Sequence, residues 1–262
     1  NATAGNVYFQ AQTLTLQGNS SLTISAGTSV VLATDLTNQT GGVVITANEG
    51  ALKDVPRGSI AVKYGSGQFY MPSSAYLVTQ GGDAKVYSTT VGAGKITISG
   101  MNTSGTDVNG GSINIHQETG SVLSEVEVKG ALETGGATPV LPRYGRQGGS
   151  VKISGTAVSV NQIDTRGSAS LATATAPAFG GAGGDVTITG TTITITSGTS
   201  STGTSVSIDT SGGTGLGVSN ATGGAGGTIS LNGNVVLNSG DSTRTTVILN
   251  TQGGTFTGGA SN

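Results

Sequence analysis

Alternating apolar and polar residues define a two-strand unit that recurs in the second half of the chain. Its three clearest copies are GGSVKISGTAVSV, GGDVTITGTTITI and GGTISLNGNVVL, at residues 148–160, 183–195 and 226–237. Each copy has a Gly-Gly step, a short strand with apolar residues at alternate positions, a tight turn and a second such strand. This alternation is typical of half-buried β-strands. Because no copy encloses its own apolar side chains, we expect the copies to stack on one another.

The N-terminal part of the chain carries shorter strands of the same kind. Apolar pairs recur there at steps of eight residues: Leu14/Leu16, Leu22/Ile24 and Val30/Leu32. Strands this short and this frequent favour the three-sided coil of a parallel β-helix over a sandwich of longer strands. We therefore predict one all-β domain over residues 1–262, with Val, Ile and Leu in inward columns and Gly at positive-φ corners. At about 20 residues per coil, about ten to twelve coils would form a rod on the order of 50 Å long.

Three segments interrupt this regular succession of short strands and turns. Residues 51–90 contain two of the five prolines and an aromatic cluster, so we expect an irregular or inserted segment that projects from the rod. Pro139 and Pro142 predict a loop over residues 137–147, because proline prevents regular strand pairing. A second loop is expected over residues 172–183, where ATATAPAFGGAG separates two of the clear copies.

Composition narrows the possible classes of function. A net charge of −2 with only 11 Lys and Arg residues gives no basic surface of the kind that binds nucleic acid. No apolar run approaches the roughly 20 residues of a membrane-spanning helix, so no transmembrane segment is expected. The absence of cysteine excludes disulfides and thiolate metal sites. The chain begins without Met and without a signal-peptide pattern, so we expect a processed or excerpted portion of a larger product.

The repeats resemble those of the filamentous-haemagglutinin-like exoproteins, large bacterial surface or secreted proteins exported by two-partner secretion. The residues that carry the resemblance are GGSVKISGTAVSVNQIDTRG (148–167), GAGGDVTITGTTITI (181–195) and GAGGTISLNGN (224–234). The resemblance covers residues 148–238 well and residues 12–46 loosely. It implies a right-handed parallel β-helix (β-solenoid) with an adhesive or structural role at a bacterial surface. The Asn-Pro-Asn-Gly motif of the family's secretion domain is missing, which indicates shaft or another kind of β-solenoid.

One glycine-rich string has the form of a calcium-binding repeat. GGAGGD at residues 180–185 fits the GGxGxD nonapeptide, in which backbone carbonyls and Asp bind the ion. The related string at residues 223–228 has Thr228 in place of Asp185, and the two copies lie 43 residues apart rather than nine. Stacked calcium sites need consecutive repeats. We therefore interpret the Gly-Gly steps as corners and predict no cofactor, with a calcium site as the weaker alternative.

Polysaccharide-acting β-helix enzymes, lyases or hydrolases, are the enzymatic alternative. They need clustered Asp or Glu together with Lys or Arg on one face. Glu125 and Glu127 alternate with valines and project from one face beside Lys129, which favours solubilising charge over an acid/base pair. Asp164 is isolated in sequence, although stacking of coils can bring it near its neighbours. With His116 as the only histidine, no catalytic triad can be built, and we predict no catalytic residues.

Aromatic and Arg side chains predict a contact surface where the rhythm is interrupted, because these residue types dominate contact energetics. The candidate residues are Tyr64, Phe69, Tyr70, Tyr76, Arg143, Tyr144 and Arg146. The alternative interpretation is that they pack over the flank of the rod and shield it. A pure glycan-binding module that uses this surface is a further possibility.

The sequence as a whole predicts a secreted or cell-surface structural or adhesive protein that acts without catalysis. The two ends of a β-helical rod expose unpaired strand edges, which invite another chain unless they are capped. No amphipathic capping helix is recognisable near either end of the sequence. We therefore expect self-association along the rod axis or continuation into further repeats, with contacts to glycans or to host or neighbouring cell surfaces.

Overall fold

The computed structural model describes residues 2–9, 11–49, 57–90, 92–117, 125–136, 139, 144–171, 177–196, 206–217, 221–238 and 247–257. In chain order the strands of these residues are β1 (Val7–Tyr8), β2 (Thr13–Gln17), β3 (Leu22–Ser25), β4 (Val30–Val31), β5 (Ala33–Asp35), β6 (Thr40–Gly42), β7 (Val44–Glu49), β8 (Ile60–Tyr64), β9 (Phe69–Tyr70), β10 (Tyr76–Val78), β11 (Ala84–Ser88), β12 (Ile96–Ile98), β13 (Met101–Asn102), β14 (Ile113–Gln117), β15 (Val126–Glu133), β16 (Val151–Ser154), β17 (Ala157–Asp164), β18 (Val186–Thr196), β19 (Val206–Asp209), β20 (Gly215–Leu216), β21 (Ile229–Asn238), β22 (Ile248–Asn250) and β23 (Phe256–Thr257). Twelve parallel strands curl through 313° round an axis and nearly close on themselves. The prediction of an all-β parallel architecture is confirmed.

The parallel strands stack in three ladders, which we call A, B and C. Ladder A contains β1, β4, β9, β12, the first halves of β15 and β17, and the second halves of β18 and β21. Ladder B contains β2, β7, β10, β13, the second halves of β15 and β17, β19 and β22. Ladder C contains β3, β8, β11, β14, β16 and the first halves of β18 and β21. The chain passes from A to B to C in each coil.

Apolar side chains form continuous columns inside the ladders. The second and third copies of the two-strand unit pair in register, Val186 with Ile229 in ladder C and Ile193 with Val235 in ladder A. The first copy pairs in the same way, with Val151 below Val186. The predicted stacking of the copies is therefore confirmed. The third copy is one residue shorter, and a register shift between Thr189 and Thr192 accommodates the difference.

The coils are longer and fewer than the sequence predicts. One column of ladder A runs through eight coils: Val7, Val30, Phe69, Ile96, Val126, Val158, Ile193 and Val235. Its shortest step is the 23 residues from Val7 to Val30 and its longest the 42 residues from Ile193 to Val235. Eight coils at a strand spacing of about 4.8 Å span about 34 Å. Within the described residues the coils number eight rather than the predicted ten to twelve, because the connections between the strands take up the additional residues.

The described part of residues 51–90 is not an insertion. Residues 60–88 supply four consecutive strands, β8 to β11, to ladders C, A, B and C. The expectation of an irregular segment is wrong here because Ile60, Val62 and Tyr64 occupy alternate inward positions and are fully buried. Residues 51–56 lie outside the described residues. An antiparallel hairpin of β5 and β6 interrupts the coil between ladders A and B instead.

In several coils a connection of variable length leads from ladder B to ladder C. We call these stacked connections together the flap. A threonine at its start hydrogen-bonds to a glycine at its end in five successive coils: Thr79–Gly82, Thr103–Gly111, Thr134–Gly149, Thr165–Gly184 and Thr210–Gly227. The two partners are separated by 3 residues in the first of these coils and by 19 in the fourth. Both predicted loops belong to the flap, although residues 137–138, 140–143 and 172–176 lie outside the described residues.

The Gly-Gly steps at the base of the flap are glycine because the coils pack backbone against backbone. A Cβ atom on Gly184 would lie 2.0 Å from the Gly149 carbonyl oxygen, and one on Gly149 would lie 2.1 Å from that of Gly111. None of the three has a positive φ. The steps are corners, as predicted, but the expected positive-φ reason is wrong, since it is the neighbouring coil that occupies the space of a side chain.

Candidate functional site

Acidic and amide side chains form an outward row where the strands of ladder B end. In-register pairing stacks five residues in successive coils: Asn102, Glu133, Asp164, Asp209 and Asn250. Strand spacing in a parallel sheet brings equivalent positions within about 4.8 Å of one another. Three carboxylates in one row repel unless they are neutralised or protonated. We call these five residues the acidic row.

Arg166 neutralises the middle of the acidic row. Its Nε atom lies 3.0 Å from both carboxylate oxygens of Asp164, and its Nη2 atom lies 2.6 Å from Oδ2. The same Nε atom is 3.8 Å from Oδ2 of Asp209. The hydrogen bonds that Arg166 donates to Asp164, together with the surrounding carboxylates, raise the pKa of Arg166. One guanidinium therefore contacts carboxylates of two neighbouring coils. Because the Arg166 side chain is half exposed, we expect this pair to contribute little to stability.

Glu133 is a half-buried member of the acidic row. Burial raises the pKa of its carboxyl group, and the charge of Asp164 raises it further. The Asn102 side-chain amide donates a 2.5 Å hydrogen bond to Glu133 Oε2, which partly opposes that shift. Burial, with a smaller effect from the Glu133 charge, also raises the pKa of Tyr76 to about 12. Burial therefore disfavours the ionised form of both groups.

A groove of ≈ 340 Å³ runs between the acidic row and the base of the flap. Its charged lining comes from Glu133, Asp164 and Arg166, and its floor from the small residues Ser104, Gly135, Gly136, Gly167, Ser168 and Ala169. A Cβ atom on Gly135 would lie 3.7 Å from Asp164 Oδ1 and 3.9 Å from Ser104 Oγ, so the missing side chain there leaves space beside the acidic row. The groove offers both signs of charge and several hydroxyl and backbone groups, which suit a polyhydroxylated ligand better than an apolar one.

Two residues of the predicted contact surface belong to the core instead. Tyr64 and Phe69 are fully buried, so their assignment to a contact surface is wrong. Tyr64 fills an inward position of ladder C, and its hydroxyl donates a 3.2 Å hydrogen bond to the Gly94 carbonyl oxygen. Phe69 continues the ladder A column between Val30 and Ile96. The Tyr64 ring can occupy an apolar interior because its hydroxyl group keeps a hydrogen-bond partner there.

Those of the remaining predicted contact residues that the structure describes lie in different parts of the fold. Tyr70 and Tyr76 face outward and are half-buried, in ladders A and B. Arg143 lies outside the described residues. Arg146 is directed to the buried carboxylate of Asp107, with Nη2 2.7 Å from Oδ1, so it holds two coils of the flap together.

Tyr144 is the one predicted contact residue that is clearly exposed among those described. It is 60 % exposed and stacks on Phe179 of the next coil, with ring centroids 5.7 Å apart and an interplanar angle of 16°. The two residues form a parallel bridge, and the Gly145 amide donates a 2.7 Å hydrogen bond to the Phe179 carbonyl oxygen. Backbone pairing of the flap therefore holds this stacked pair in place, and the Tyr144 ring is accessible.

The carboxylates singled out from the sequence are surface ion pairs. Lys95 Nζ lies 2.8 Å from Glu125 and 2.9 Å from Glu127, and Lys129 lies 3.7 Å from Glu127. This arrangement agrees with a solubilising role, because the charges are partly exposed and mutually neutralised. The strand position of His116 places it beside Tyr87 in ladder C.

The candidate calcium string uses its carboxylate for a different purpose. Asp185 Oδ1 accepts hydrogen bonds from both the amide and the hydroxyl of Thr228 in the next coil, each 2.8 Å long. These bonds lower the pKa of Asp185 and join two coils at the corner. Within the described ranges, no group of three or more His, Cys, Asp or Glu residues is placed to hold a metal ion. No helix in those ranges is long and apolar enough to cross a membrane.

The acidic row is absent from the predictions above, although the sequence contains a signal for it. An apolar residue, an acid or amide and then a threonine recur as MNT, LET, IDT, IDT and LNT, beginning at residues 101, 132, 163, 208 and 249. The first position of the triplet fills the core, the second forms the acidic row, and the third starts the flap. Successive triplets are 31 to 45 residues apart, so their relationship becomes clear only when the coils are aligned.

Comparisons with protein-family models, with curated proteins and with solved structures return no match to this chain.

Proposed function

We propose that the chain is a shaft segment of a secreted or cell-surface fibre, with a structural or adhesive role. The observation that carries this proposal is the last coil, in which core positions of the ladders reappear with their side chains exposed. Val235, Leu237 and Leu249 are 41 %, 56 % and 40 % exposed, whereas their partners in the coil below are fully buried. Apolar columns that continue to an open edge support an arrangement in which another coil covers them.

The same proposal includes the finer architecture: a right-handed parallel β-helix that forms one elongated domain over residues 1–262. The parallel ladders and the 313° curl support a helical coil. Connections between parallel strands of one sheet are right-handed in about 98 % of proteins, which supports the handedness. The resemblance of the repeats to filamentous haemagglutinins supports an extracellular location.

We assign the adhesive contact to the Tyr144–Phe179 pair, with glycans as the ligand class. An exposed aromatic ring that is held rigidly offers a flat apolar face at low entropic cost. Tyr144→Ala is expected to reduce binding of the chain to a glycan array at least tenfold, and Tyr8→Ala serves as the control at a distant exposed tyrosine. Equal binding by both variants would remove Tyr144 from the contact surface.

The location and the shape are tested on the source cells. Antibodies raised against the chain are expected to label intact cells, and immunogold microscopy is expected to place the label along rods. Label that appears only after permeabilisation would overturn the surface location. Label on compact particles alone would overturn the shaft assignment.

A second candidate function, a polysaccharide-acting enzyme, is favoured by the groove beside the acidic row. Glycoside hydrolysis uses one protonated and one ionised carboxyl group. Glu133, with its raised pKa, has the character of a general acid, and Asp164, in its ion pair with Arg166, has that of the ionised partner. The two side chains lie on adjacent coils.

This alternative predicts cleavage of a polysaccharide that depends on the groove. Glu133→Gln and Asp164→Asn would each abolish depolymerisation, whereas Glu125→Gln, at an exposed ion pair, would leave it unchanged. Absence of product across a panel of neutral and acidic glycans would exclude the enzyme and leave the shaft proposal intact.

A further inference from the structure

The return limb of the flap, by which the chain comes back to ladder C, repeats every three residues. In three successive coils this limb reads YGRQGGS, FGGAGGD and TGGAGGT, at residues 144–150, 179–185 and 222–228. Backbone amides of one limb donate to carbonyl oxygens of the next at every third residue, in the pairs Gly145–Phe179, Gly148–Ala182 and Val151–Asp185. A period of three residues is that of the polyproline II helix. The limbs therefore differ from the strands of the ladders, whose side chains alternate with a period of two.

The three-residue period gives each position of the return limb a fixed direction. The first position pairs with the neighbouring coil, as above. The second is turned inward, since the Gly184 amide donates a 2.7 Å hydrogen bond to the Thr165 carbonyl oxygen, where the flap begins. The third position is turned outward, and its residues are exposed in the first and third of these limbs: Tyr144, Gln147, Ser150, Thr222, Ala225 and Thr228.

The outward positions of the limb continue into ladder C. Val151 is the first residue of β16 and is buried, so Lys152 takes the next outward position after Ser150 and is exposed. Tyr144, Gln147, Ser150 and Lys152 therefore follow one another along one face of a single coil, and we call them the contact line. At about 3.1 Å per residue in the limb and about 3.3 Å in the strand, the contact line is about 25 Å long.

The ammonium group of Lys152 is not used by the fold. Among the residues that the structure describes, no acid forms an ion pair with it, whereas Lys95 and Arg166 each have a carboxylate oxygen within 2.8 Å. The neighbours of Lys152 in ladder C are Asn114 and Thr187, which are uncharged. Lys152 therefore places a positive charge at one end of the contact line, opposite the aromatic ring at the other end.

We infer that the glycan held at Tyr144 contains an acidic sugar, whose anionic group binds Lys152. The inference rests on the proposed adhesive contact at the Tyr144–Phe179 pair and names the charge of its ligand. The four side chains of the contact line suit an acidic oligosaccharide: an aromatic ring stacks on the apolar face of a sugar, an amide and a hydroxyl bind sugar hydroxyls, and lysine pairs with a carboxylate or a sulfate ester.

The length and the charge of the contact line both support this ligand. A separation of about 25 Å between its ends requires an oligosaccharide of several residues rather than a single sugar. The contact line itself contains no acid. Asp185, on the same face in the next coil, is held by two hydrogen bonds from Thr228, so its carboxylate joins two coils instead of facing the ligand.

Binding of defined oligosaccharides tests the inference. Three probes of equal length are compared: a neutral oligosaccharide, an oligomer of uronic acid and a sulfated oligosaccharide. The chain should bind at least one acidic probe about two- to fivefold more tightly than the neutral probe, as expected for an exposed ion pair. The stronger acidic probe identifies the anion as carboxylate or sulfate. Equal affinity for all three probes would overturn the inference, and so would equal competition by single-stranded DNA.

Substitution of Lys152 locates the preference for the acidic probe. Lys152→Gln should abolish the preference without changing the affinity for the neutral probe, and Lys152→Arg should retain it. Lys63→Gln is the matched control, because Lys63 is another lysine of ladder C without an ion pair among the described residues. It lies three strands from Lys152, about 14 Å along the ladder. A preference that survives in Lys152→Gln, or that Lys63→Gln abolishes equally, would contradict the inference.

Tyr144→Ala distinguishes failure of this inference from failure of the proposed contact. If Tyr144→Ala loses all three probes while Lys152→Gln behaves as the wild type, the contact at Tyr144 stands and the acidic ligand is wrong. If Tyr144→Ala binds every probe as the wild type does, the proposed contact is wrong, whatever the effect of Lys152→Gln.

Discussion

The hydroxyl group of Thr165 donates a 2.7 Å hydrogen bond to the Gly184 carbonyl oxygen, and the Gly184 amide donates one of the same length to the Thr165 carbonyl oxygen. This reciprocal pair closes the base of the flap and recurs in the four other coils that have a threonine there. In an earlier coil Asn48 replaces the threonine, and its side-chain amide makes both bonds to Gly58. The pair satisfies backbone groups that would otherwise be buried without partners where the chain turns from ladder B to ladder C.

Replacement of Thr165 by valine should therefore destabilise the fold. The substitution keeps the shape of the side chain but removes the hydroxyl donor, which leaves the buried Gly184 carbonyl with one partner fewer. We expect a loss of about 1–3 kcal/mol in the free energy of unfolding, measured by denaturant titration. Thr165→Ser retains the donor and should lose less. Thr191→Val, at an exposed threonine, should change stability by less than about 0.5 kcal/mol.

Two adjacent glycines of the flap should respond differently to alanine. A Cβ atom on Gly136 would lie 1.9 Å from the Arg146 carbonyl oxygen, whereas the nearest atom to one on Gly135 is 3.4 Å away. Gly136→Ala forces two backbone limbs apart and should cost about 1–3 kcal/mol of unfolding free energy. Gly135→Ala should be neutral or stabilise by up to about 1 kcal/mol, because alanine restricts the unfolded chain. Equal effects in thermal unfolding would show that the flap does not depend on close backbone packing.

The stacking of the two-strand copies could be predicted from the sequence because its physical basis is local. Alternation at Val151 and Ile153 identifies a strand, and the repeated spacing identifies equivalent positions in the next coil. Similar information was present around Tyr64, where Ile60, Val62 and Tyr64 alternate with outward residues. The aromatic residue types of this segment favour a contact surface, whereas the alternation correctly identifies Tyr64 as an inward residue.

The acidic row and the flap could not be predicted in the same way because they depend on coil length. Whether Glu133 meets Asp164 depends on how many residues the intervening flap takes up. The Gly-Gly steps indicated corners, but their requirement for glycine comes from a carbonyl group of the neighbouring coil. The close approach of Gly184 to Gly149 results from the stacking of two coils, so the sequence alone does not reveal it.

The raised pKa of Glu133 predicts how stability depends on pH. A carboxyl group with a raised folded pKa contributes stability that is fully present below its unfolded value of 4.5 and is lost as the pH rises through the folded value. Glu133→Gln removes this loss, and its side chain can still accept the Asn102 hydrogen bond. The variant should therefore gain stability relative to the wild type at pH 7 and show no comparable gain at pH 4, as measured by urea unfolding. Glu125→Gln, at an exposed ion pair, is the control.

Tyr76 predicts a second loss of stability at alkaline pH. Its pKa is raised to about 12 from the ordinary value of 10.0, so its contribution is present below pH 10 and disappears as the pH rises through about 12. Tyr76→Phe should flatten this part of the stability profile. Absorbance at 295 nm should lose one late tyrosinate transition in Tyr76→Phe, and Glu133→Gln should move that transition part of the way towards 10. An unchanged titration in Glu133→Gln would contradict the electrostatic link between the two groups.

Ile195 and Leu237 occupy the same column in adjacent coils. Truncation of each to alanine therefore compares the free energy of unfolding lost at a buried position with that lost at its exposed equivalent. Ile195 is fully buried, and Ile195→Ala should cost about 2–5 kcal/mol of unfolding free energy. Leu237 is 56 % exposed, so Leu237→Ala should cost less than about 1 kcal/mol in dilute solution. Urea titration measures both losses, and equal losses for the two variants would show that the Leu237 side chain is covered as fully as that of Ile195.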